Sequence, residues 1–157
     1  MQAGRLVVKG IEDAFRRRED FTYETTLTSH QSINVLKQAK DAGYQTLLIF
    51  IALSSADMHV ARVAQRVRGG GHHIPEAVIR RRYNLAFDNL IKAIPLCEAV
   101  VIYDNSGPAG YRKLIGIEGE AITQNDIIAM NPFDRRIAAC VAAGLNIPVE
   151  SILPNQD

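Results

Sequence analysis

The chain has 157 residues, of which about half are hydrophobic and about a fifth are charged, and its formal net charge is +1. These values are typical of one globular domain with one buried core, and a charge near zero favours no particular partner. The longest apolar run, residues 46–53, is far too short to span a membrane, and the first ten residues lack the long apolar stretch of a signal peptide. We therefore expect a cytoplasmic protein.

The first part of the chain predicts two helices and two strands. Apolar residues recur every three or four positions over residues 3–18, which predicts a helix. Residues 21–27, FTYETTL, are rich in β-branched and aromatic types and predict a strand. A second helix is expected over residues 31–42 and ends at Gly43, because glycine adopts the left-handed conformation at little cost. Residues 46–53 are nearly all apolar and predict a central parallel strand that is buried on both faces.

The second part of the chain continues the alternation of helices and strands. The predicted elements are a helix over 56–68, a loop over 69–75, a helix over 75–93, a strand over 99–103, an edge strand over 111–117 and a helix over 134–143. Strands that alternate with helices are typical of βαβ units, and right-handed crossovers place helices on both faces of the sheet. The sequence therefore predicts an α/β fold with a three-layer arrangement around a parallel sheet.

The two cysteines and the last part of the chain carry less information. Cys97 and Cys140 lie in apolar stretches, without the spacing of a zinc site or a disulfide framework, so we expect two reduced thiols in the core. No role follows from the sequence for the residues after Gly119.

Three segments fall where an α/β sheet binds its ligands, outside the carboxyl ends of the strands. They are residues 24–27, residues 54–55 and residues 104–107. Glu24 is the most informative residue, because a carboxylate inside a β-forming run is costly unless it meets water, a ligand or a hydrogen-bond donor. The alternative is a glutamate at the end of a strand that simply faces solvent.

Arginines are concentrated around the glycine-rich loop 69–71. The residues concerned are Arg62, Arg66, Arg68, Arg80, Arg81 and Arg82. Two arginine-bearing helices joined by a mobile loop can close over phosphates, since guanidinium groups stay charged and bind oxyanions in a fork. The alternative is a solvated helix face. His72 and His73 are adjacent in a loop and lack an evident third ligand, so we predict no metal site.

Several of these segments resemble the zeta-toxin-like P-loop kinases, of which the kinases of UDP-N-acetylglucosamine are the best-known branch. Residues 21–27 resemble the FxxETTL strand of that family, which follows a helix carrying an Ala-Gly-Arg segment like residues 3–5. Residues 62–83 match the lid signature RVxxRVxxGGHxIPxxxIxRRY, and residues 103–107 match a YDNSG strand end. The resemblance covers residues 3–118, and the lid signature together with ETTL is its most specific part.

The resemblance implies a P-loop kinase fold and a kinase that uses Mg-ATP to phosphorylate a hydroxyl, such as that of a UDP-sugar. On this analogy the catalytic arginines are Arg66, Arg81 and Arg82, which neutralise the charge of the transferred phosphate. The substrate-binding residues are Glu24, Thr25, Thr26 and His72, and the nucleotide-binding residues are Asn105 and Ser106. The resemblance also raises an antitoxin as a partner, whereas nothing favours nucleic acid or a membrane.

The sequence departs from that family at its start. It contains no GxxxxGK(S/T) loop, and it opens within the helix that normally follows the catalytic aspartate. The missing loop supplies backbone N–H donors, the phosphate lysine and the magnesium hydroxyl. We therefore expect an N-terminally truncated kinase that lacks the first strand. Its partial kinase domain spans residues 1–118, with an arginine-rich lid over 62–83, and a C-terminal tail spans 119–157.

Three functions remain open from the sequence. The first is a truncated kinase that is inactive alone. The second is an active kinase whose phosphate loop comes from another segment or partner. The third is a non-catalytic module that binds a nucleotide or another phosphate ligand through the arginine lid.

Overall fold

The structure is a computed structural model that describes residues 2–154, with side chains from residue 6 onwards. The Ala-Gly-Arg side chains at residues 3–5 and the end of the predicted tail at 155–157 therefore lie outside the described residues. The helices are α1 (Gln2–Arg17), α2 (His30–Asp41), α3 (Ala56–Arg68), α4 (Glu76–Ala93) and α5 (Pro132–Leu145). The strands are β1 (Leu47–Ala52), β2 (Ala99–Asp104), β3 (Arg112–Glu118) and β4 (Ala121–Asn125).

The five predicted helices are confirmed to within about two residues at their ends. Local signals set these ends. The hydroxyl of Ser29 caps α2 by accepting a hydrogen bond from the Ser32 N–H, and the hydroxyl of Ser55 caps α3 in the same way through Met58. Gly43 follows α2 with a φ of 76°, the left-handed conformation expected of it.

The sheet is mixed, and this corrects the prediction of a parallel sheet. Its strand order is β1-β2-β3-β4, in which β1 and β2 are parallel while the other two pairs are antiparallel. Parallel strands need a long crossover, which α3 and α4 provide between β1 and β2. The links that follow β2 and β3 are too short for a crossover, so these strands form hairpins. The prediction that residues 111–117 form an edge strand is also wrong, because β4 pairs with the outer side of β3.

The hydrophobic core lies on one face of this sheet. Alternate residues of β1 and β2 point into it, among them Phe50, Val100 and Ile102. Residues of α2, α4 and α5 pack against them, including Ile33, Leu90 and Ile137. Cys97 and Cys140 are buried free thiols, as predicted.

The opposite face of β1 is open, which corrects the prediction that this strand is buried on both faces. Leu47, Ile49 and Ile51 are 60%, 55% and 50% exposed. Because α2, α4 and α5 all cover the other face, no helix within the described residues shields these three side chains. In residues 2–154, β1 pairs with β2 alone, so its second edge is unpaired.

The predicted strand over residues 21–27 is wrong, since this segment is irregular in the structure. Leu27 has a φ of 55°, which is incompatible with an extended run. Phe21 packs edge-to-face on Phe15 at 5.2 Å, and the ring of Tyr44 lies 5.4 Å from Phe15. Phe21 therefore packs through its side chain rather than through a sheet partner.

Residues 119–154 share the sheet and the core with the residues before them. Their β4 extends the sheet, and Ile137 and Val141 of α5 are fully buried. Within the described residues, no helix combines the length and apolarity needed to cross a membrane.

Ile102→Ala tests which face of the sheet holds the core. Ile102 is fully buried, so we expect its truncation to lower the free energy of unfolding by about 2–5 kcal/mol. Ile49→Ala removes the same atoms from the open face and should cost far less. Urea unfolding of both variants measures the difference, and equal losses would contradict this assignment of the two faces.

Candidate functional site

The carboxyl ends of β1 and β2 are joined by the turn that follows β2. Asn105 donates its N–H to the carbonyl of Ala52 at 2.8 Å, and the Ser106 hydroxyl accepts the N–H of Ser54 at 2.7 Å. The turn is closed on itself by Asp104, whose carboxylate accepts the N–H of Ser106 at 2.9 Å. Two of the three predicted ligand-binding segments are thus brought together at one edge of the sheet.

The predicted lid consists of α3, α4 and the glycine turn between them. Gly70 has a φ of 87°, and Gly71 donates its N–H to the carbonyl of Arg66 at 2.9 Å. A Cβ on Gly71 would lie 2.7 Å from the Cγ of Arg66 and 2.9 Å from its carbonyl oxygen. The turn therefore folds back on Arg66, and only glycine fits there without displacing it.

Polar contacts fasten the lid to the sheet edge. Arg62 of α3 donates to the carbonyl of Asn105 at 2.6 Å, and the Tyr83 hydroxyl of α4 donates to the carbonyl of Leu53 at 3.2 Å. The two helices are joined by Arg80, which pairs with Asp57 at the start of α3. None of the residues of α3 is buried, so this helix is peripheral and is held mainly by α4.

His59 lies on the inner side of α3, with its ring 5.4 Å from that of Tyr83. Partial burial, and then the charge of Arg62, lower the pKa of the His59 imidazole below its usual value. The lowered pKa favours the neutral imidazole, which lies tilted against the Tyr83 ring and adds no charge between the lid helices.

The three arginines predicted to be catalytic are exposed. Within residues 6–154, no salt bridge or side-chain hydrogen bond involves Arg66, Arg81 or Arg82. Arg80, which precedes Arg81 on α4, is by contrast held by two carboxylates. The lid thus presents three guanidinium groups that are available to an oxyanion. His72 is exposed in the loop between the helices.

The Glu24-Thr25-Thr26 segment is held from below by two buried polar side chains. The Thr25 hydroxyl lies 2.7 Å from that of Ser32, and it also accepts the N–H of Leu27 at 3.1 Å. Asn89 of α4 donates its side-chain amide to the carbonyl of Leu27 at 2.9 Å. These bonds hold the left-handed conformation of Leu27.

The side chain of Glu24 itself is exposed. The argument that a carboxylate in a strand needs a partner does not hold for it, because the residue lies in an irregular segment. The polar contacts of the described residues link this segment to α2 and α4. They do not join Glu24 to Asn105 and Ser106, nor to the three free arginines.

Several residues of the site were missed by the sequence analysis. Asn89 is a polar residue on the buried side of α4, and a single polar residue among apolar ones predicts no particular role. Arg112 forms salt bridges with Asp104 and Asp134, at 3.2 and 2.6 Å, across the end of the sheet. Asp134 is a single carboxylate in the predicted tail, where no motif pointed to it.

The sequence pattern of the zeta toxin family matches residues 1–113. The chain belongs to the zeta toxin family. This confirms the predicted resemblance, and the family is associated with a kinase-like, nucleotide-binding function.

The matched part of this zeta toxin family member contains the Glu24 segment, the whole lid and the turn after β2. Asp134 lies beyond it. The chain is also similar to an uncharacterized protein of Haemophilus influenzae, with 31% identity over 83 residues. That alignment covers 53% of this chain, and the chain spans only 59% of the relative's length. No solved structure matches the chain.

Within the described residues of this zeta toxin family member, no group of three or more histidine, cysteine, aspartate or glutamate side chains is placed to hold a metal ion. Mg²⁺ usually keeps several waters and is held by one or two carboxylates together with substrate phosphates, so a magnesium nucleotide does not require such a cage.

Asn89→Ala tests the support under the Glu24 segment. The substitution leaves the buried carbonyl of Leu27 without its donor, so we expect a loss of about 1–3 kcal/mol in the free energy of unfolding. Residues 19–29 should also become more sensitive to limited proteolysis. Asp88→Ala, one position earlier and exposed, is the control, and an equal effect of both changes would contradict the role of Asn89.

Gly71→Ala tests the lid turn. Its methyl group overlaps Arg66, so we expect a destabilisation of about 1–3 kcal/mol and faster amide exchange over residues 66–71. Gly10→Ala in α1 has no neighbour within 4 Å of the new methyl group and should be neutral or stabilising. Unchanged exchange at residues 66–71 would show that the turn does not depend on this glycine.

Proposed function

We propose that this chain forms the acceptor-binding and lid part of a phosphotransferase that transfers the γ-phosphate of Mg-ATP to a hydroxyl. The observation that carries the proposal is the lid itself. Three guanidinium groups without a partner among residues 6–154 lie on two helices, and Arg62 and Tyr83 in the middle of these helices are hydrogen-bonded to the backbone just after β2 and β1. Phosphoryl transfer depends on positioning and on charge neutralisation, and an arginine lid supplies both.

The roles are those that the resemblance to the family implies. Arg66, Arg81 and Arg82 neutralise the transferred phosphate when the lid closes. Glu24, Thr25 and Thr26 hold the acceptor with His72, and the acceptor class is a UDP-sugar such as UDP-N-acetylglucosamine. Asn105 and Ser106 lie on the nucleotide side. The support for the acceptor segment is its anchored backbone, which leaves Glu24 exposed to a ligand while Leu27 is fixed from below.

The phosphate-binding loop has to come from outside these 157 residues, since they contain no GxxxxGK(S/T). We propose that the chain alone does not turn over ATP and that the open side of β1 receives a strand carrying such a loop, which completes a three-layer arrangement around the mixed sheet. The support is the unpaired edge of β1 together with the exposure of Leu47, Ile49 and Ile51. An unpaired apolar edge is a template for strand addition.

A completion experiment tests this proposal. Transfer of labelled phosphate from ATP to UDP-N-acetylglucosamine is measured for the chain alone and for the chain with an added strand–loop–helix segment that contains GxxxxGKS. We expect transfer only in the second case. Turnover by the chain alone would contradict the first part of the proposal, and no transfer by a complex shown to form would contradict the second.

Glu24→Ala tests the acceptor role in the completed enzyme. We expect kcat/KM for the UDP-sugar to fall by a factor of about 100 or more, because a positioning contact to the reacting hydroxyl is lost. The exposed Glu120→Ala on the β3–β4 turn is the matched control. Turnover that survives Glu24→Ala would refute the assigned role.

The alternative function is a non-catalytic module that binds nucleotide through the same lid. The three lid arginines that have no partner within residues 6–154 also favour this function. Its affinity for ATP should fall steeply as salt is raised, because each arginine–phosphate contact is electrostatic. Equilibrium dialysis at low and high salt measures the affinity for ATP. An Arg66→Ala/Arg82→Ala variant is compared with the exposed control Arg135→Ala. We include an antitoxin as a partner only because the resemblance to the family implies one.

A further inference from the structure

Asp134 is a fully buried carboxylate in the first turn of α5, outside the part of the chain that matches the family. Both of its oxygens are used. Arg112 donates from Nη1 to one oxygen at 2.9 Å and from Nη2 to the other at 2.6 Å, and the N–H of Ile128 adds a third hydrogen bond at 2.9 Å. The forked contact fixes the plane of the Arg112 guanidinium.

The same guanidinium reaches the site through Asp104. Nη2 of Arg112 donates to Asp104 Oδ2 at 3.2 Å, and Asp104 and Arg112 face each other in the register of β2 and β3. The second oxygen of Asp104 accepts the N–H of Ser106, whose hydroxyl accepts the N–H of Ser54. An unbroken series of hydrogen bonds therefore runs from α5 to the turn that holds Asn105 and Ser106.

Stability of the core is a poor explanation for this network. Buried ion pairs are often replaced by apolar residues of similar volume without loss, because the cost of removing the charges from water offsets their attraction. An apolar pair in place of Arg112 and Asp134, however, could not fix the direction of the Asp104 carboxylate. The hydrogen bonds to Asp134, and then those to Asp104, raise the pKa of Arg112, so the guanidinium stays charged throughout.

We propose that Asp134 is a positioning residue for the nucleotide side of the site. It holds Arg112, which orients Asp104, and Asp104 in turn sets the Asn105–Ser106 turn against Ser54 at the carboxyl ends of β1 and β2. The functional part of this inference rests on the proposed nucleotide role of Asn105 and Ser106. The structural part, the transmission from α5 to the turn, does not.

Amide NMR of the whole chain without ligand tests the structural part. In Asp134→Asn and in Arg112→Lys we expect the N–H resonances of Ser54 and Ser106 to move. Their hydrogen exchange should accelerate at least tenfold more than that of Val100 and Ile102 in the middle of β2. Asp88→Asn, an exposed aspartate of α4, is the matched control and should change neither. Asp134→Glu, which retains the charge, should restore part of the wild-type pattern.

Two results would overturn the inference. One is a folded Asp134→Asn variant with unchanged Ser54 and Ser106 resonances. The other is exchange that accelerates equally at all amides, which would show a merely structural role. Arg112→Lys keeps the charge and loses only the fork, so it decides the question if Asp134→Asn does not fold.

Titration with Mg-ATP of the wild-type chain completed by the added strand–loop–helix segment separates this inference from the proposed function. Both the inference and the proposed function are supported if ATP changes the resonances of Asn105 and Ser106 and if Asp134→Asn lowers the affinity for ATP about tenfold. If ATP leaves these resonances unchanged in the wild type, the proposed nucleotide role fails. The transmission from Asp134 is then judged by the ligand-free spectra alone.

Discussion

The parallel pairing of β1 with β2 is the constraint on which the site depends. Two parallel neighbours end at the same edge of a sheet, so the residues that follow them meet there. The long connection between these strands contains both lid helices, and its two ends are fixed by the pairing. The lid is consequently attached beside the turn after β2, where Arg62 and Tyr83 bind backbone carbonyls at the strand ends.

In the part of the chain that the structure describes, helices cover only one face of β1. All of the helices that build the core pack on the face that contains Phe50 and Val100, whereas Ile49 and its neighbours remain exposed. Full burial of such a side chain contributes roughly 1.5–3 kcal/mol. An additional strand and helix on this side would therefore be stabilised by burial, and they would end at the edge where the phosphate ligands are expected.

The helices could be predicted from the sequence because their signals are local. Apolar periodicity, the capping serines and Gly43 all act within a few residues. The failure over residues 21–27 has the opposite cause, since a strand requires a partner that no local pattern specifies. The left-handed Leu27 and its donor Asn89 are 62 positions apart in sequence, so the support of the Glu24 segment could not be seen in its own residues.

The part of the site contributed by Asp134 was hidden for a similar reason. No role follows from the sequence for the residues after Gly119, because the motifs end with the turn after β2. The structure shows that Arg112 of β3 is hydrogen-bonded both to Asp104, which precedes this turn, and to Asp134 of α5. A carboxylate that acts through an arginine of another element has no characteristic spacing, so its place could be found only from the three-dimensional contacts.

Arginine serves two different purposes in this chain, and the difference lies in its partners. Arg80 and Arg112 are bound by carboxylates, and they join elements of the fold. Arg66 and Arg82 carry the same group but are exposed on the lid, where water solvates their charges and no carboxylate is needed. Burying them requires an anion to accompany them. The proposed closure of the lid would therefore be favourable only when an anionic ligand such as a phosphate is present, and this would couple closure to the binding of the ligand.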